Sequence, residues 1–278
     1  MLYLILAIFS SAAVALVMRL STSRVKGGMS LLCMNYITCT IAAGVYTGPG
    51  NLFPAHPGLW QTVGLGVFNG ALYLGAFLLL QRNTRRNGVV LSSVFMRLGL
   101  LVPMVLSVLV FRERPGATQI LGFVLAVGAI VLINAPGTGE KQHFRWGLLL
   151  LLLAGGGADA MSKVFEQLGS GELSSHFLYY TFQSAMVFCA ALVIKERETV
   201  TWREVLFGLG LGLPNYFSTR FLLLSLSHIP AVIAYPTYSV ATILVVTLAG
   251  VAFFRERLQK NQWAALGIIL VALVLLNV

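Results

Sequence analysis

Residues 109–133 read LVFRERPGATQILGFVLAVGAIVLI, and residues 252–276 read AFFRERLQKNQWAALGIILVALVLL. In each, a charged FRER turn is followed by an apolar run that approaches the ~20 residues a helix needs to cross a bilayer. The two stretches match at a shift of 143, which also pairs Gln119 with Gln262 and Asn134 with Asn277. At a shift of 144, FLLL at 77–80 recurs at 221–224, Tyr36 meets Tyr180, and Arg19 meets Lys163. No single match carries weight, but together they run in register over half the chain and indicate an internal duplication.

Working outward, apolar runs predict ten spans, at about 2–20, 29–47, 58–80, 88–110, 116–134, 145–165, 173–194, 203–226, 230–253 and 261–277. Each copy, 1–137 and 144–278, holds five of them. An odd number of spans sends the second copy through the membrane upside down. The expected fold is an all-α polytopic membrane protein of two inverted five-helix repeats, an arrangement typical of secondary transporters. Composition agrees. The chain is 58% hydrophobic and only 10% charged, with mean hydropathy +0.86, whereas soluble domains carry roughly 25% charged residues.

The net charge of +10 does not point to nucleic acid, because the basic residues sit in short loops. Arg19, Arg24 and Lys26 follow span 1; Arg82, Arg85 and Arg86 follow span 3; Lys141 and Arg145 follow span 5. Lys195, Arg197 and Arg203 follow span 7, and Arg255, Arg257 and Lys260 follow span 9. After the even spans only Arg112, Arg114 and Lys163 appear. The positive-inside rule then puts the first set in the cytoplasm and both termini outside, in a multi-pass protein of the cell membrane. Cys33, Cys39 and Cys189 lie within apolar runs and suggest no disulfide framework. Residues 1–18 lack a basic n-region and read as a first span.

The two FRER hairpins, with Glu113 and Glu256 in their turns, and the small-residue first span of each half (SSAAVALVMR and AGGGADAMSK) resemble the drug/metabolite transporter superfamily. The resemblance is to its ten-span EamA-like branch and covers the whole chain. It implies secondary transport of a small molecule and no enzyme activity. The polar and apolar pattern adds no cofactor. His56, His143, His176 and His228 fall in loops or at span ends, so no buried metal cluster is expected, and no phosphate-binding P-loop is present.

Three charges lie deep. Arg97 is about nine residues into span 4, Asp159 about thirteen past Trp146, and Arg220 about seventeen into span 8, or roughly 13, 20 and 25 Å at 1.5 Å per residue. An intramembrane charge is costly and is by default functional. One reading pairs Asp159 with Lys163 at i, i+4, with Lys163 snorkelling outward. The favoured one turns Asp159 to a central cavity against Arg220 or Arg97. One carboxylate against two guanidiniums leaves a positive site, suited to a substrate carboxylate or phosphate. Asn69, Tyr73, Gln183, Asn215 and Tyr238 are expected to complete it, with Tyr216 nearby and Tyr235 assigned to the interfacial belt. Gly155, Gly156 and Gly157 read first as close packing and second as a point where span 6 unwinds; Pro236 reads as a gate. The expected partners are a small polar anionic or zwitterionic metabolite, such as an amino acid or organic acid, and the bilayer. A proton as coupling ion and a homodimer are both admitted. A lipid flippase or an exporter of amphipathic cations is the alternative, and a membrane-embedded enzyme a remote one.

Overall fold

The computed structural model describes residues 1–22, 24, 25, 27–87, 92, 95, 96, 98–133, 146–254 and 260–277. All elements among the described residues are helical, as lipid demands of a chain that must satisfy its own backbone. They are α1 (Leu2–Thr22), α2 (Gly28–Thr47), α3 (Leu59–Asn87), α4 (Leu101–Leu109) and α5 (Ala117–Ile133). After them come α6 (Trp146–Leu168), a 3-10 turn (Gly171–Leu173), α7 (Ser174–Glu196), α8 (Trp202–Leu226), α9 (Ala231–Phe254) and α10 (Lys260–Asn277). Six segments are long and apolar enough to cross a membrane: Leu2–Ser21, Gly28–Thr47, Leu59–Leu80, Trp146–Leu168, Gly171–Glu196 and Ala231–Phe253. Ala117–Ile130 and Leu266–Leu276 are shorter apolar helices. The four tryptophans, Trp60, Trp146, Trp202 and Trp263, all lie in the first turn of a helix and are all exposed, as an interfacial belt requires.

The chain divides into two compact units, and neither coincides with a sequence half. The first comprises Met1–Leu74 and Val164–Ser227. In it α1 packs on α8, and α2 on both α7 and α8. The packing logic is that of a membrane. Leu4, Ala7 and Ala12 of α1 are buried while Leu2, Ile5, Leu6 and Phe9 are exposed, because small residues let backbones approach and large apolar ones face lipid. Ala7 comes close enough for its carbonyl to accept from Ser218 Oγ at 3.4 Å. Gly66 and Gly70 of α3 lie against Tyr180 and Ser184 of α7, where a Cβ would collide; Gly208 and Gly212 of α8 lie in the same way against Met34 and Thr38 of α2.

Loops in this unit reach across to helix ends. α2 starts at Gly27, which offers no side-chain cap. Glu198, from the loop after α7, supplies one: its Oε2 accepts from Ser30 N at 2.9 Å and Ser30 Oγ at 2.8 Å. In the other direction, the loop after α2 meets the start of α7. His176 Nε2 lies 2.8 Å from Asn51 O, and Tyr180 OH donates to Leu52 O.

The second unit comprises Gly75–Lys163 and His228–Val278. Its core joins α5, α9 and α10 through Phe123, Ala126, Ile130, Val240, Ile243, Leu266, Ile269 and Leu276. Asn83 Nδ2 ties α3 to the start of α6 by donating to Gly147 O at 2.9 Å. The expected unwinding of span 6 is absent: α6 runs without a break through Gly155, Gly156 and Gly157. The packing reading holds for two of the three. A Cβ on Gly155 would meet Met96 Sδ at 2.9 Å, and one on Gly156 would collide with Gly99 O and Val102.

Candidate functional site

Arg220 sits on α8 one turn beyond Tyr216, so the two side chains share a face. Its Nη1 donates to Tyr216 OH at 3.0 Å and to Ser175 Oγ, in the first turn of α7, at 3.1 Å. The guanidinium lies over the ring of Tyr46, 4.5 Å from its centroid. A cation–π contact contributes about 0.5–1 kcal/mol where exposed and ~2 kcal/mol or more when desolvated. Tyr46 in turn stacks on Tyr216 at 5.7 Å. Both hydrogen bonds leave from Nη1. An arginine has five donors, so Nε and Nη2 are without a partner among the described residues, and no carboxylate forms an ion pair with this cation there. A carboxylate or phosphate takes such a fork in two parallel bonds.

One turn down α8 the lining stays polar. Asn215 Nδ2 donates to Asn35 Oδ1 at 3.2 Å, and Thr219 Oγ1 lies 3.5 Å from Tyr73 OH. Asn69, one turn before Tyr73 on α3, is fully buried; its Nδ2 reaches Thr181 Oγ1 at 3.5 Å and its Oδ1 has no partner among the described residues. Thr219 joins Asn215 and Tyr73, Asn69 bonds Thr181 separately, and all of them lie with Arg220 in the first unit. Gln183 is half-buried on α7 and makes no described polar contact there.

Asp159 and Tyr238 lie in the second unit. The Asp159 carboxylate has no hydrogen bond or ion pair among the described residues, while its main-chain oxygen accepts from Tyr235 OH at 2.7 Å. Tyr235 is 1% exposed, so its placement in the interfacial belt is corrected. Tyr238 is half-buried, two residues past Pro236 in the interior of α9. Arg97 lies outside the described residues, as do Glu256 and the stretch 134–145.

Lys163 departs from expectation. It does not snorkel: its side chain is 4% exposed, and Nζ pairs with Glu113 Oε1 at 3.0 Å. The same ammonium stands 5.9 Å from the centroid of Phe111. Glu113 also accepts from Ala231 N at 3.2 Å and Val232 N at 3.0 Å, so its carboxylate caps α9. The signal in the sequence is the FRER turn itself, a motif that marks the glutamate but not its partner.

The profile of the EamA-like transporter family matches residues 1–135 and again residues 145–278. The chain belongs to the EamA-like transporter family. Its membership of the drug/metabolite transporter superfamily follows, as does a multi-pass place in a membrane. This EamA-like protein is 26% identical over 274 residues to an uncharacterized protein of Haemophilus influenzae, covering 96% of this chain and 93% of that one. It is 32% identical over 109 residues to a probable 4-amino-4-deoxy-L-arabinose-phosphoundecaprenol flippase subunit, ArnE, of Hamiltonella defensa. That match spans 37% of the EamA-like chain and 96% of the flippase subunit. A crystal structure superposes with a TM-score of 0.74 over 99% of this chain and 94% of the other, at 17% identity, which establishes a shared fold.

Proposed function

We propose that this EamA-like protein is a secondary transporter of a small anionic or zwitterionic metabolite, an amino acid or organic acid, working by alternating access. The observation that carries this is Arg220, fixed by Tyr216, Ser175 and Tyr46 with its Nε–Nη2 fork unused among the described residues. Asn69, Tyr73, Gln183 and Asn215 complete the recognition surface in the first unit. Arg97, Asp159 and Tyr238 contribute from their own spans, with Asp159 as the proton-coupling carboxylate and Pro236 as the point of movement. Both termini lie outside the cell membrane in this reading.

Alternating access rests here on two inverted repeats, 1–137 and 144–278. Three features support them. The family profile matches twice. The glycine seams mirror each other, α3 on α7 and α8 on α2. The loops after α2 and α7 reach reciprocally to the start of the other helix.

Counterflow in proteoliposomes across amino acids, organic acids, sugar phosphates and organic cations tests the reading. Uptake of an acid or zwitterion should vanish in Arg220→Gln with the protein still folded. Uptake confined to cations, or an unaffected Arg220→Gln, would refute it. A second reading, lipid translocation, is favoured by the flippase relative and by an apolar groove of about 380 Å³ on α4 and α6, lined by residues including Leu101, Val105, Leu109 and Leu152. Fluorescent-lipid scrambling in the same liposomes separates the two.

A further inference from the structure

Away from the Arg220 cluster, a recess of about 440 Å³ opens in the first unit between the turn after α1 and the start of α8. Its volume falls within the ~300–1,000 Å³ typical of small-ligand pockets. It is lined by Arg24, Thr199, Thr201, Trp202, Arg203 and Glu204. The two arginines come from segments far apart in sequence, which the Glu198–Ser30 bonds draw together. Neither guanidinium has a carboxylate partner among the described residues. The one acid in the lining, Glu204, is 2% exposed and accepts from Thr201 N at 3.0 Å and from the Thr201 hydroxyl. Two unneutralised cations facing one recess repel each other, and an anion between them reverses the sign of the interaction.

The level of the recess says where that anion comes from. Trp202, in the lining, is 73% exposed, and Val200, between the lining residues Thr199 and Thr201, is 44% exposed. An indole beside arginines marks the headgroup layer, where basic residues attract anionic lipids. We propose that this recess binds the phosphate of an anionic phospholipid headgroup, held between Arg24 and Arg203 with Trp202 as the interfacial anchor. The site is separate from the transport cluster and stands whether or not that function is right.

Native mass spectrometry of the detergent-solubilised protein with phosphatidylglycerol or phosphatidylcholine, beside thermal melts with inorganic phosphate, tests this. The wild type should retain phosphatidylglycerol at least about tenfold better than phosphatidylcholine. Arg24→Gln/Arg203→Gln should lose that preference, while Arg82→Gln, an exposed arginine elsewhere, should keep it. Equal retention of both lipids by the wild type, or the same loss in Arg82→Gln, would overturn the proposal. Stabilisation by inorganic phosphate equal to that by phosphatidylglycerol would overturn the lipid assignment.

Discussion

Replacing Lys163 by methionine removes an ammonium but leaves Glu113 with the two N–H groups at the start of α9. Replacing Glu113 by alanine leaves Lys163 buried and uncaps α9 as well. Breaking one side of a buried pair typically costs about 3–5 kcal/mol, and losing a helix cap about 1 kcal/mol more. The melting temperature should therefore fall further in Glu113→Ala than in Lys163→Met, and the double variant should be less damaged than the sum of the two. Additive losses would mean that the ion pair contributes nothing beyond its separate parts. The glycines allow an equally local test. Gly156→Ala places a methyl on Gly99 O and Val102, an overpacking worth about 1–3 kcal/mol. Gly75→Ala meets nothing within 4 Å and should melt at or above the wild-type temperature, since alanine favours a helix by ~1 kcal/mol over glycine. Depth along a span can be counted from the sequence, which is enough to single out Arg220. Partnership cannot. Glu113 and its α9 contacts are 118 and 119 residues apart, and no periodicity links positions so distant.

Two helices here end on the same device. After α4 the chain turns through Arg112 at φ 56°, and after α7 through Arg197 at φ 53°. Each left-handed arginine is followed by the glutamate that caps another helix, Glu113 on α9 and Glu198 on α2. The conformation costs a non-glycine residue roughly 1–2 kcal/mol, and the cap offsets it. Arg197→Gly should thus leave the melting temperature unchanged or raise it slightly, whereas Glu198→Ala should lower it by the ~1 kcal/mol of a lost cap. A drop of equal size in both would show that Arg197 acts through its charge rather than its backbone. The helices themselves were legible, because apolar runs and loop charges declare them. Their ends were not. Gly27 and Gly28 look like a plain break, and only the folded chain brings Glu198 to them.

At the scale of the whole molecule, the two compact units each draw on both sequence halves. A fragment ending at residue 137 lacks Val164–Ser227 and so cannot complete the first unit. Halves 1–137 and 144–278 expressed separately should be degraded, and co-expressed they should recover a folded protein that co-purifies. A stable first half alone would contradict this division. The proposed topology has its own test, in a background without the three native cysteines. Asn51→Cys should react with an impermeant maleimide in intact cells and Thr199→Cys only after permeabilisation; the reverse result would invert the assignment. The FRER repeats made a duplication the expectation from sequence, but the exchange of segments between halves was not legible, since repeat matching says which parts are alike and nothing about which parts touch. That exchange sets a clock on synthesis. Ser30 and Glu198 are 168 residues apart, and a ribosome adding about 5–20 residues per second needs ~10–30 s to cover the distance. For that interval α2 waits in the translocation machinery or the lipid with its first turn uncapped, so a slow codon run before residue 198 lengthens its exposure to proteases.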